Sequence, residues 1–111
     1  MRTQPPETWI TGEEFAEARR NLIESGHRHD SVEMHALNNR VVQRDEYLWS
    51  RYAKSHIRQH SGEWAAVGIN GEILFGPTVS AVMAAASDRF GHGNFVYGRM
   101  ADFRGRVLHR C

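Results

Sequence analysis

Apolar positions recur with two different periods along this 111-residue chain. The first helical pattern begins after Pro5-Pro6. Phe15, Ala18 and Leu22 fall on one stripe, with Ile23 beside it, which predicts an amphipathic helix over residues 12–25. Thr11 is placed to cap its start, and Glu14, three residues on, completes a capping box. Ile10 can staple to Phe15 across that cap, Arg20 and Glu24 are spaced for a weak surface pair, and Gly26 supplies a stop.

Residues 27–44 carry a mixed pattern. Val32, Met34 and Ala36 alternate with Glu33 and His35, and Asn38-Asn39 could turn such a strand back into Arg40–Gln43. This favours an irregular segment or hairpin, while the same residues also permit a helix starting near Asp30 or Ser31. Asp45–His60 then reads as a second helix, with Trp49, Tyr52, Ala53 and Ile57 on one arc and Gly62 after it.

A period of two takes over in Trp64–Ile69 and Glu72–Phe75, separated by Asn70-Gly71. Asn-Gly between apolar runs predicts a two-residue hairpin turn, both of whose residues need positive φ. Pairing Ile69 with Glu72 places Val67 against Leu74 and Ala66 against Phe75. One face then carries Ile69, Val67 and Leu74, and the other Trp64, Ala66, Ile73 and Phe75. Both faces are apolar, so both require cover. Gly76-Pro77-Thr78 opens a third helix with Val79, Val82, Met83, Ala86 and Phe90 at helical spacing. Gly91–Gly93 stops it, and Phe95–Met100 is a final strand.

The expected fold class is therefore α+β: a small antiparallel sheet built on a β-hairpin, helix and third strand, with N-terminal helices packed on it. The chain divides into a loose leader (1–9), a mainly helical part (10–60), a hairpin-helix-strand module (61–100) and a basic tail (101–111), all within one domain.

Gly62-Glu63-Trp64-Ala65-Ala66-Val67, then Gly71-Glu72-Ile73-Leu74-Phe75-Gly76, then a helix and Phe95-Val96-Tyr97, resemble a small bacterial domain family of unknown function. Its pattern is a Gly-x-Trp-Val-Ala-Val hairpin followed by Gly-x-Ile-x-x-x-Gly. The likeness covers about residues 45–100, and Ala65 stands where that family usually has valine. It implies a fold and brings no catalytic residues with it, because the motif consists of turn glycines and core positions.

Composition narrows the functional classes. Fourteen basic residues oppose thirteen acidic ones, for a net charge of +1, so no global field attracts nucleic acid. The balance is local: Arg99, Arg104, Arg106 and Arg110 oppose only Asp102 in the last thirteen residues. Phe103 lies between arginines there, so this tail could touch nucleic acid or an acidic partner. Cys111 is the one cysteine, which excludes an intrachain disulfide. No apolar run approaches the ~20 residues of a membrane span, and Met1–Trp9 has no apolar stretch. The expectations are no membrane and a cytoplasmic location.

Seven histidines are the compositional oddity. His56 and His60 lie one helical turn apart, a spacing that suits two imidazoles on zinc or another transition metal. Ile57 stands where the His-Glu-x-x-His metalloproteases have glutamate. His27-Arg28-His29-Asp30 reads as a polar loop, with an acid/base or ligand cluster as the alternative. There is no Gly-x-Ser-x-Gly elbow and no phosphate-binding loop, so no catalytic residue is assigned.

Three readings result. The chain is a non-enzymatic protein-interaction or adaptor domain, binding a protein partner or itself through an apolar sheet face of Trp64, Ala66, Ile73 and Phe75. The alternatives are a small metal-binding protein or metal-dependent enzyme using His56 and His60, and a nucleic-acid-associated protein using the arginines of the tail.

Overall fold

The computed structural model describes residues 9–100 together with the backbone of 109–110. Helix α1 spans Gly12–Glu24. Thr11 Oγ1 accepts from Glu14 N and Glu14 Oε1 accepts from Thr11 N, both at 3.0 Å, which is the expected capping box. Ile10 is buried among Met34 and Leu37, with Phe15, Ala18, Leu22 and Val41 packed against them.

The hairpin expected within residues 27–44 is not formed. Val32–Leu48 is one helix, α2, capped by Ser31, whose Oγ accepts from Met34 N at 3.1 Å. Tertiary burial decides the matter. Met34, Leu37, Arg44, Asp45 and Leu48 are all buried, and spacings of three, four and seven among them place them along one broad helical face. The alternation at Val32–Ala36 is incidental, since Val32 is 80% exposed. A separate helix beginning at Asp45 is likewise corrected: α2 runs straight through that point. It continues as a π-helical turn at Trp49–Ala53 and a short 3-10 turn at Lys54–His56. The arc predicted for this stretch does face inward, with Trp49 and Ala53 buried and Tyr52 and Ile57 packed beside them.

The sheet comprises β1 (Trp64–Gly68), β2 (Ile73–Gly76), β3 (Phe95–Arg99) and a two-residue β4 (His109–Arg110), all antiparallel, in the order β2-β1-β3-β4. Helix α3 (Val79–Phe90) crosses between β2 and β3, with Thr78 Oγ1 accepting from Ala81 N and Gly91 at its C-terminal end. The sheet is sandwiched. One face, with Ala65, Val67, Val96, Ile73 and Phe75, lies under Leu48, Trp49 and Ala53. The other, with Ala66, Phe95, Trp64, Leu74 and Tyr97, lies under Val82 and Ala86 of α3. Both apolar faces therefore find cover within the chain.

The hairpin register differs from the expected one by a residue. Val67 pairs with Ile73, Ala66 with Leu74 and Ala65 with Phe75. The loop is three residues long, Ile69-Asn70-Gly71. Gly71 N donates to Gly68 O at 2.9 Å, and Gly68 N donates to Glu72 O at 2.8 Å. Only Gly71 takes positive φ, at 88°. Asn70 instead uses its side chain, whose Oδ1 accepts from Glu72 N at 3.0 Å. A three-residue loop with a left-handed glycine suits this hairpin as well as the two-residue form does. Because side chains alternate, a slip of one residue reassigns the faces.

Candidate interaction surface

The register correction dismantles the sheet-face surface. Trp64 and Ala66 lie on the α3 side, whereas Ile73 and Phe75 lie on the opposite side. Ala66 is fully buried, and the Trp64 ring sits 6.4 Å from that of Tyr97. These four residues form two halves of a core, with no shared patch.

His56 and His60 do come together, around a different object. His60 stacks on Phe75 with ring centroids 3.5 Å apart and planes at 4°, and His56 meets the same ring edge-on at 5.7 Å. His60 Nδ1 is 3.4 Å from Glu63 Oε1. Among the described residues, no group of three or more His, Cys, Asp or Glu side chains could hold a metal ion. The one-turn spacing thus brings two imidazoles onto an aromatic ring of the edge strand β2.

His27-Arg28-His29-Asp30 forms the loop before α2. His27 Nδ1 contacts Leu22 O at 3.2 Å, its Nε2 lies 3.7 Å from Glu33, and Arg28 pairs with Asp30 at 3.6 Å. Arg99 is exposed at the end of β3. The backbone of Arg110 pairs with Val96, whereas Arg104, Arg106, Val107-Leu108 and Cys111 lie outside the described residues.

The open apolar surface is elsewhere, along α1. Helices α1 and α2 pack through Phe15, Ala18 and Leu22, but α1 has a second, adjacent stripe. Gly12, Ala16, Arg19 and Ile23 follow one another at spacings of four, three and four. They line a cleft of about 840 Å³ with Val41 and Val42 of α2 and His92 of the loop after α3. That volume falls within the usual range for binding clefts. None of the thirteen residues of α1 is buried, and Ile23 is 42% exposed. Among the described residues this well-capped helix is covered by α2 and, at its first turn, by the loop after α3, and is otherwise open.

Its position is set by close contacts at its start. Gly12 N donates to Asn94 Oδ1 at 2.7 Å, while Asn94 Nδ2 donates to Phe90 O at 2.9 Å. One side chain thereby joins the first turn of α1 to the last turn of α3. The backbones meet closely enough that a Cβ on Gly12 would strike His92 O and come within 2.8 Å of Gly93 Cα. From the α2 side, Arg44 Nη1 donates to Ile10 O at 2.8 Å and its Nε to Asp45 Oδ1 at 2.9 Å, both residues being almost wholly buried.

Charge decorates the rim unevenly. Neither Arg19 nor Arg20 joins an ion pair among the described residues, so the expected Arg20–Glu24 pair is not made. Arg19 Nη2 lies 3.3 Å from His29 Nδ1. Sequence reasoning passed over this cleft. Its one signal was Ile23, an apolar residue beside a stripe that was already complete.

No protein-family model, curated protein or solved structure matches this chain. No helix among the described residues is long and apolar enough to cross a membrane.

Proposed function

We propose that this chain is a cytoplasmic, non-enzymatic interaction domain, and that its binding surface is the cleft between α1 and α2. The observation that carries this reading is the length of that cleft. It extends from Gly12 to Glu24, the whole of α1, with Ala16, Ile23, Val41 and Val42 as its apolar wall. An extended apolar surface rimmed by polar side chains is the usual mark of a docking site. The hairpin-helix-strand module is the scaffold in this reading, and the N-terminal helices are the contact element.

The test is site-specific photo-crosslinking in cells. A photoreactive amino acid replaces Ala16 in the cleft or, as control, the exposed Lys54. The expected result is a discrete protein adduct from position 16 and none from position 54. Absence of any protein adduct at position 16 would overturn the reading.

A further inference from the structure

We infer that the inner wall of the α1–α2 cleft binds a medium-chain fatty acid, with its carboxylate on Arg19 and its chain running towards Gly12. This rests on the reading of the cleft as a binding surface and names a small-ligand class for it.

Shape gives the first argument. The cleft, of about 840 Å³, has its lining sorted by polarity. Phe15, Ala16, Val41 and Val42 form an apolar stretch. That stretch ends where Gly12 meets Gly93, so closely that a Cβ on Gly12 would come within 2.8 Å of Gly93 Cα. Arg19, Arg20 and Asn38 supply polar groups nearer the loop that joins the two helices. The rise from Gly12 to Arg19 is roughly 10 Å at 1.5 Å per residue. An apolar wall of that length with a cation at one end fits an unbranched chain with one charged head. A volume of this order is that of a small-ligand site.

Charge supplies the second argument. Arg19 is half-buried, and among the described residues it joins no ion pair. Its Nη2 lies 3.3 Å from His29 Nδ1, a contact that leaves the guanidinium charge unmatched. The carboxylates of α1 do not answer it. At about 100° per residue, Glu13, Glu14, Glu17 and Glu24 all stand about 120° or more round the helix from Arg19. The negative flank is thus turned away from the wall that carries the cation. Within the lining itself, Arg19 and Arg20 oppose Glu24, which leaves one net positive charge. A single carboxylate complements it, and the planar guanidinium fork suits that head group in particular.

The test is isothermal titration calorimetry of untagged full-length protein with decanoate. The expected result is saturable one-to-one binding. Hexanoate should bind at least about a hundredfold more weakly, because each buried methylene contributes about fourfold. Decanol keeps the chain and lacks the charge, and should bind about tenfold more weakly than decanoate. Arg19→Gln should cost decanoate about tenfold and leave decanol within about twofold. Ala16→Phe, which fills the wall, should abolish binding of both. Circular dichroism on each variant establishes that the helices are retained, and the difference between decanoate and decanol on the unaltered chain needs no variant. Absence of saturable decanoate binding, equal affinities for decanoate and decanol, or decanoate binding indifferent to Arg19→Gln in the folded variant overturns the inference. The adduct at position 16 separates the two failures. A protein adduct without decanoate binding keeps the docking reading and removes the ligand. Decanoate binding without a protein adduct keeps the ligand and removes the protein partner.

Discussion

The two halves of this molecule meet the same requirement in opposite ways. In the module from Trp64 to Arg99, each face of a small sheet is closed by a helix of the same chain, and Ala65, Ala66, Val67, Phe95 and Val96 are completely buried. In the hairpin of α1 and α2, the first helix has an apolar stripe packed on α2 and a second, adjacent one lining the open cleft beside Val41 and Val42, and no residue of it is buried. Local sequence strength does not account for the contrast, because α1 has the better cap. What differs is the number of neighbours. A sheet strand two faces deep is enclosed by the elements before and after it, whereas among the described residues α1 leans on α2 along its length and on the loop after α3 only at its first turn. The difference teaches that where a chain of this size leaves apolar surface open is decided by topology more than by composition.

The largest expected effect lies within the helical region, where α2 holds the segment before α1. Arg44→Met removes the cation from a buried pair and the donor to Ile10 O, leaving the Asp45 carboxylate enclosed. Loss of one partner of a buried pair costs about 3–5 kcal/mol, so chemical denaturation should show the midpoint collapse. Next comes Gly12→Ala. Its Cβ meets the backbone of His92 and Gly93, and overpacking of this kind costs about 1–3 kcal/mol. Thermal melts should detect it even though alanine favours helices. A third pair of substitutions measures the contrast itself. Val82→Ala in the closed module should cost about 1–3 kcal/mol by leaving a cavity. Ile23→Ala should stay within about 0.5 kcal/mol in dilute solution, since that side chain is substantially open. Equal losses at the two sites would contradict the account of α1 as half covered.

The smallest effect is electrostatic. Arg89 Nη2 lies 2.6 Å from Glu72 Oε2, and this hydrogen bond holds the Glu72 carboxyl below its ordinary value of 4.5, against a smaller opposing desolvation. A depressed carboxyl pKa contributes stability above the unfolded value and loses it as pH falls through the folded one. Arg89→Gln should therefore move the Glu72 titration upward in a carboxyl-detected NMR experiment. Added salt should diminish the difference, because the pair is at the surface.

How much of this was legible beforehand depended on whether the determinants were local. The capping box at Thr11 and Glu14, the stop at Gly91, the helix from Val79 and the α+β class all follow from neighbouring residues, and the structure carries them. The failures have a common cause. Residues 32–44 form a helix because Met34 and Leu37 pack with Ile10 and Arg44 donates to its carbonyl, a tertiary reward invisible in the alternation of Val32–Ala36. The hairpin register turned on Asn70 bonding the Glu72 amide with its side chain, a choice the dipeptide Asn-Gly leaves open. That one residue moved Ile73 and Phe75 away from Trp64 and Ala66 and dissolved the expected sheet-face site. His56 and His60 were correctly placed one turn apart, but their spacing could not reveal that Phe75 lies against them. The cleft was hidden for a similar reason, since its wall draws on α1, α2 and the loop at His92.

The bond from Gly12 to Asn94 joins positions 82 residues apart. Closing a loop of that length carries an entropic cost that grows with separation, and it can form only after α3 has ended and its Gly91–Gly93 turn is set. The module from Trp64 to Arg99 needs no such closure. The docking of the first turn of α1 thus depends on a contact across most of the described chain, whereas its packing on α2 is nearer in sequence. In hydrogen exchange, its amides should open independently of the sheet, as a small cooperative unit that detaches while the rest of the molecule stays folded.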